Sequence, residues 1–118
     1  MPGQSSRNRR LYPAGDGAEM KGLSKKYENT KLTVTLKGKL DSETAPDLSA
    51  ELASSLGGIT ELVIDMTELS YVSSAGLRAL LSAQQQMNRQ GKMVIRGARE
   101  SILDVFRITG FSELLTVE

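Results

Sequence analysis

The fold is decided by the stretch Glu61-Leu-Val-Ile-Asp-Met-Thr-Glu-Leu-Ser-Tyr-Val-Ser-Ser-Ala-Gly-Leu-Arg-Ala-Leu-Leu81. Its first part, Leu62–Ile64, is an unbroken apolar run, which is typical of a strand covered on both faces. Asp65 disfavours strands and is predicted to end this one. After a polar connection, leucines recur at helical spacing from Leu77 onward. The stretch therefore predicts a buried strand, a loop and a helix that begins near the Ser73-Ser74 pair.

The serine pair at this predicted helix start has two alternative roles. A serine oxygen can cap the helix by accepting a hydrogen bond from one of its first unpaired backbone N–H groups. A serine can also carry a phosphate, because free N–H groups and the positive end of the helix dipole favour negative charge. The residues alone favour capping, since serine is among the preferred N-cap residues.

The same stretch resembles the signature of STAS domains, the family of bacterial anti-sigma factor antagonists, and the resemblance extends over nearly all of residues 21–118. In that family a strand leads into a loop of the form Asp-Ser-Ser/Thr-Gly-Leu-Gly, and the anti-sigma factor phosphorylates the serine after the Asp. Three residues match this motif: Ser74 aligns with the phosphorylated serine, Gly76 with the glycine and Leu77 with the leucine. Three residues depart from it: Ser73 stands where the family usually has Asp, Ala75 where it has Ser or Thr, and Arg78 where it often has Gly. The resemblance implies phosphorylation at Ser74, with Ser73 as the second choice.

The resemblance implies a non-enzymatic switch. The unphosphorylated chain would bind an anti-sigma factor of the serine-kinase type, that kinase would phosphorylate it with ATP and magnesium, and a PP2C-like phosphatase would reverse the step. The partner-binding surface is expected to include Asp41, Ser42, Thr44, Ser73, Ser74, Gly76 and Arg78. Two alternatives stay open: a STAS adaptor that is not phosphorylated, in a stress-signalling or lipid-transport complex, and an enzyme that acts on a nucleotide or phosphate.

Two of these residues also have a purely structural interpretation. Asp41 follows Gly38-Lys-Leu in a loop, where an aspartate can form a turn by bonding its own backbone. Arg78 lies four residues after Ser74 and can pair with a phosphate there. As an exposed helix arginine it can equally remain solvated, because exposed ion pairs contribute little.

The composition excludes several kinds of chemistry. The 118 residues include no cysteine and no histidine, which removes disulfides, thiolate chemistry and the commonest general base and metal ligand. No P-loop or Gly-x-Gly-x-x-Gly motif occurs, and Leu77 stands where a Ser-x-x-Lys pair starting at Ser74 would need lysine. The sequence therefore predicts a binding protein that uses no cofactor or metal.

Residues 1–20 differ from the remainder of the chain. They are rich in Gly, Pro, Ser and charge, so a disordered leader or tag is expected before a single domain at residues 21–118. From Lys21 onward the chain has 12 basic and 12 acidic residues. This balance predicts no nucleic-acid or membrane partner. Because neither a membrane span nor a signal peptide is recognisable, a cytoplasmic protein is expected.

The remaining patterns predict a hairpin and further helices. Residues 31–37 alternate as a half-buried strand and are expected to pair with residues 23–27 across the turn Glu28-Asn29-Thr30. A first helix is predicted from Thr44, whose spacing to Asp47 is that of a capping box, to the stop at Gly57-Gly58. In the next helix Leu77, Leu80, Leu81 and Met87 are expected to lie inward and Gln84, Gln85 and Gln86 mostly outward.

After that helix, Met93–Ile95 predict a strand, Ile102–Phe106 a third helix capped by Gly110, and Leu114–Val117 a last short strand. This order predicts an α/β fold with a mixed, mostly parallel sheet of four to five strands and three main helices. Ligands meet such sheets at the carboxyl ends of the strands. The Asp41 and Ser74 loops each follow a strand and precede a helix, so both are expected at one edge.

Overall fold

Four strands, three α-helices and a short 3₁₀-helix (Phe111–Glu113) are built from residues 22–118, the part of the chain that this computed structural model describes. The strands are β1 (Leu23–Glu28), β2 (Lys31–Leu40), β3 (Glu61–Val72) and β4 (Lys92–Arg96), and the helices are α1 (Ala45–Ser55), α2 (Ser74–Asn88) and α3 (Glu100–Thr109). The sheet order is β1-β2-β3-β4, with β1 antiparallel to β2 and the other neighbours parallel. The predicted α/β architecture is confirmed. The predicted disorder of residues 1–20 lies outside the described residues.

The predicted β1–β2 hairpin is confirmed, but Glu28 belongs to β1, and residues 38–40, predicted to lie in a loop, belong to β2 because they pair with β3. Glu28 pairs with Lys31, which leaves Asn29 and Thr30 as a two-residue turn. Asn29 has a φ of 58°, a left-handed conformation that asparagine tolerates because its short polar side chain can bond locally. The apolar residues of β2 alternate towards the core, where Leu32 is fully buried.

Strand β3 is longer than predicted. The prediction that it ends at Asp65, before a polar connection, is wrong, because pairing with β2 continues to Val72. Strand β4 already ends at Arg96, opposite Asp65. The second half of β3 therefore pairs with β2 but not with β4, and these two strands extend together past the end of β4. The sequence of this second half resembles a loop because two register shifts against β2, each with one extra residue on β3, interrupt the alternation of buried and exposed side chains.

One core lies between the sheet and the helices. Its largest fully buried side chains include Leu32, Leu48, Leu56, Leu62, Ile64, Met66, Leu69, Leu80, Met87, Met93, Ile95 and Phe106. Of the residues predicted to face inward on α2, Leu81 is only half-buried. Gly110 ends α3 with a φ of 82°, which is the left-handed cap that the sequence predicts.

The C-terminal segment differs from its prediction as well. Residues 114–117 form no strand beyond a single parallel bridge between Ile95 and Val117. Gln84, expected to face solvent, is 3% exposed. Its Oε1 accepts a hydrogen bond from Thr116 N at 3.1 Å, and its Nε2 donates to Asn88 Oδ1 at 3.0 Å. The buried amide is therefore satisfied and fixes the C-terminal segment against α2.

Candidate functional site

Two loops meet at the carboxyl ends of β2 and β3, as predicted. The backbone N–H of Ser73 donates to the carbonyl of Leu40 over 2.8 Å. Leu40 is the last residue of β2, and Ser73 directly precedes α2. This backbone hydrogen bond therefore joins the loop that begins at Asp41 to the junction between β3 and α2, which consists of Ser73 and the first helical residue Ser74 and which we call the serine loop.

Ser73 caps helix α2. Its backbone is extended, its Oγ accepts a hydrogen bond from Gly76 N at 3.3 Å, and its carbonyl accepts one from Leu77 N at 2.9 Å. Serine and aspartate are both preferred at this position of a helix. Serine at the position where the resembled motif has aspartate therefore provides the cap, and the Ser73 hydroxyl is engaged in it.

Ser74 is the first residue of α2, and its side chain is exposed. Its hydroxyl forms no hydrogen bond with another residue of the described range 22–118. The N–H groups of Ser74 and Ala75 have no acceptor within the helix. The first turn of α2 contains no acidic residue, so no side chain of that turn compensates the positive end of the helix dipole. A negative group on this hydroxyl would have both space and favourable electrostatics.

Gly76 sets how closely α2 approaches β2. A Cβ at this position would lie 2.8 Å from the Leu40 carbonyl oxygen, 2.8 Å from Leu40 Cγ and 3.0 Å from Val72 Cγ2. The carbonyl oxygen cannot move away without losing its hydrogen bond from Ser73. The contribution of Gly76 to the site is therefore the absence of a side chain.

Asp41 organises its own loop. Its Oδ1 accepts hydrogen bonds from the backbone N–H groups of Glu43 at 3.0 Å and Thr44 at 3.2 Å. These hydrogen bonds hold the pKa of the Asp41 carboxyl below its ordinary value. The carboxylate is ionised at neutral pH and closes a turn, which is the structural interpretation left open by the sequence.

Thr44 supports the same loop. The predicted capping box with Asp47 is wrong, because Thr44 makes no side-chain cap bond to α1. Its hydroxyl instead donates to Lys39 O at 2.9 Å and accepts from Asp41 N at 2.8 Å. These hydrogen bonds connect the end of β2 to the residue that precedes α1. They hold the backbone on both sides of Leu40, whose carbonyl accepts the hydrogen bond from Ser73 N.

A shallow, open groove between α1 and α2 lies beside these two loops and has a volume of about 250 Å³. We call it the α1–α2 groove; it is lined by Ser42, Ala45, Pro46 and Ser49 on one wall and by Ala75, Arg78, Ala79 and Ser82 on the other. The α2 set has the spacing i, i+3, i+4, i+7 of a single helix face, and the other wall joins one face of α1 to Ser42 in the preceding turn. Ser42 and Arg78 were predicted to lie at the partner surface, whereas the other lining residues were not, although the helical spacing of the α2 set was an available signal.

Other kinds of site find no support within the described part of the chain. Residues 22–118 contain no group of three or more His, Cys, Asp or Glu side chains that could hold a metal ion. None of the helices formed by those residues has both the length and the apolar character needed to cross a membrane.

Comparison with known proteins identifies close similarities. A family model for the STAS domain matches residues 23–118. BtrV of Bordetella bronchiseptica, a protein named for anti-sigma factor antagonism, is 36% identical over 88 residues, covering 73% of this chain and 76% of BtrV. The anti-sigma-B factor antagonist of Listeria monocytogenes is 30% identical over 97 residues, covering 80% of this chain and 84% of that protein.

Solved structures share the fold. The anti-sigma factor antagonist SpoIIAA in its unphosphorylated form matches with a TM-score of 0.67 at 16% identity, covering 81% of this chain and 86% of that chain. The phosphorylated form of SpoIIAA, a Bacillus cell fate determinant, matches with a TM-score of 0.66 at 16% identity, covering 81% and 90%.

Proposed function

The chain belongs to the STAS domain family, and on this premise we propose that it is an anti-sigma factor antagonist that is switched off by phosphorylation of Ser74. The unphosphorylated chain binds an anti-sigma factor of the serine-kinase type. That kinase transfers the γ-phosphoryl group of ATP, with magnesium, to Ser74 Oγ, and the bond to ADP breaks as the hydroxyl loses its proton. A PP2C-like phosphatase hydrolyses the phosphate ester and restores the binding form.

The observation that carries this proposal is the exposure of the Ser74 hydroxyl at the start of α2. A kinase can reach it without unfolding the chain. Ser73, the alternative acceptor, already uses its oxygen to accept the hydrogen bond from Gly76 N. Phosphorylation of Ser73 would modify the oxygen that forms this cap, whereas phosphorylation of Ser74 would leave the capping oxygen unmodified.

The electrostatics of α2 support the same choice. A phosphate brings about −1.5 to −2 charges at pH 7. On Ser74 it would lie near the unpaired N–H groups of the first helical turn, where negative charge is favoured by about 0.3 to 1 kcal/mol. The folded state therefore tolerates the modification, and its unfavourable effect falls on the partner interface.

Mapping of the phosphate tests this proposal directly. Incubation with the cognate serine-kinase anti-sigma factor, ATP and magnesium is expected to add one phosphate, which mass spectrometry of the peptide containing both serines places on Ser74. Ser74→Ala is expected to abolish it. Ser73→Ala is expected to retain it while losing about 1 kcal/mol of stability through the missing cap. A wild-type chain that binds the kinase but receives phosphate on neither serine would favour the adaptor alternative instead.

Arg78 supplies a second prediction. It is exposed one helical turn after Ser74, within reach of a phosphate on that residue. Arg78→Ala is expected to lower the thermal unfolding midpoint of the phosphorylated chain by the equivalent of about 0.5 kcal/mol and to leave the unmodified chain unchanged. Arg89→Ala, at the other end of α2, is the matched control and is expected to shift both forms equally. Equal shifts for Arg78→Ala would contradict the pairing.

A further inference from the structure

The α1–α2 groove continues along α2 beyond the serine loop. Its second section is lined by Leu52 and Ala53 on α1 and by Ala83 and Gln86 on α2, and shares Ser49, Ala79 and Ser82 with the first section. From Ala75 to Gln86 the groove follows α2 for about 16 Å, or about three helical turns. Alanine and serine dominate both walls, so a bound segment can approach the backbones of α1 and α2 closely.

Charge in this groove is confined to one side chain. Arg78 is the only charged residue among those that line either section. Its side chain is exposed, and it forms no ion pair with any carboxylate of residues 22–118. A guanidinium in this setting favours a carboxylate, which it can bind through two parallel hydrogen bonds. The charge complementarity of the groove therefore selects an acidic occupant.

We propose that the α1–α2 groove receives an acidic segment of the anti-sigma factor and that a carboxylate of this segment pairs with Arg78. The identity of the partner rests on the proposed function. The groove is continuous with the serine loop, because Ala75 and Arg78 line it within one turn of Ser74. A phosphate on Ser74 competes with the partner's carboxylate for Arg78 and repels that carboxylate, so one arginine links the modification to release of the partner.

Affinity of the unphosphorylated full chain for the purified anti-sigma factor, measured by isothermal titration calorimetry, tests the charge pair. Arg78→Glu is expected to weaken binding about tenfold or more, because it replaces attraction with repulsion. Arg78→Lys retains the charge but cannot form the two parallel hydrogen bonds, so it is expected to weaken binding by about threefold, less than Arg78→Glu does. Arg89→Glu makes the same charge change at the C-cap of α2, outside the groove, and is expected to have an effect within about twofold.

Occupation of the groove is tested by filling it. Ser82 is exposed and lines both sections, whereas Gln85 is exposed on the same helix and lines neither. Ser82→Trp is expected to weaken binding about tenfold at an unchanged unfolding midpoint, while Gln85→Trp binds as the wild type does. If Ser82→Trp shifts the midpoint, Ser49→Trp on the facing wall provides the same test.

The outcomes separate this inference from the proposed function. Wild-type affinity in Arg78→Glu, or in a folded groove-filling variant, overturns the groove proposal even when the wild type binds and is phosphorylated. Self-association of the wild type that Ser82→Trp abolishes, with unchanged affinity for the anti-sigma factor, assigns the groove to a second copy and also overturns it. A wild type that neither binds nor is phosphorylated overturns the proposed function instead. Restored binding between Arg78→Glu and an anti-sigma factor with a Glu→Lys change supports the pair.

Discussion

Replacement of Gly76 by alanine is expected to lower the free energy of unfolding by about 2 kcal/mol and to impair phosphorylation of Ser74. The added Cβ would meet the Leu40 carbonyl oxygen at 2.8 Å. That oxygen belongs to the backbone and accepts the hydrogen bond from Ser73 N. Either α2 moves away from β2 or the hydrogen bond breaks, and both changes displace the serine loop.

The favourable helix propensity of alanine does not offset this clash. Alanine stabilises a helix interior by about 1 kcal/mol over glycine, but Gly76 is in the first turn, against two strand ends. Denaturant unfolding measures the stability loss. Phosphorylation is then measured at a temperature where the variant is fully folded, so that a slower rate reports a displaced Ser74 rather than unfolded chain.

Gly57→Ala is the matched control for this prediction. A Cβ at Gly57 meets no atom within 4 Å, and its backbone is outside the left-handed region. Its unfolding free energy is expected to stay within about 0.5 kcal/mol of the wild type. A similarly small change for Gly76→Ala would contradict the close approach of α2 to β2.

The sequence predicts most of the fold, because in most strands and helices the spacing of apolar residues matches the set of residues that the structure buries. Alternation in β2 and helical spacing in α2 are confirmed by the residues that they bury. The second half of β3 was missed because its register shifts against β2 break the local alternation. Gln84 was misplaced for a related reason: its buried amide accepts a hydrogen bond from Thr116, which lies far along the chain and is not visible in the local pattern.

The candidate site is only partly predictable for the same physical reason. The family resemblance and the predicted helix start together identify the serine pair, but only the geometry separates a capping Ser73 from an exposed Ser74. The α1–α2 groove depends on how two helices pack across the sheet. No local pattern specifies that packing, although each wall carries a visible small-residue face.

Phosphorylation of Ser74 is expected to weaken binding to the anti-sigma factor about a hundredfold, which corresponds to about 2.8 kcal/mol. The new charge of about −1.5 to −2 must be desolvated at the interface or face the partner's acidic groups, and an unmatched interfacial charge costs about 2 to 5 kcal/mol. Calorimetric titration of the two forms with the same anti-sigma factor measures the difference.

The loss must arise at the interface and not from unfolding of α2. Since negative charge is favoured at this helix terminus, far-UV circular dichroism is expected to be unchanged by the phosphate, and the unfolding midpoint is expected to be equal or slightly higher. Ser74→Ala, treated with kinase and ATP, is the control and should retain its binding. Weak binding accompanied by loss of helical signal would assign the switch to melting of α2 and contradict the surface mechanism. Equal affinity of both forms would show that the phosphate has no part in partner release.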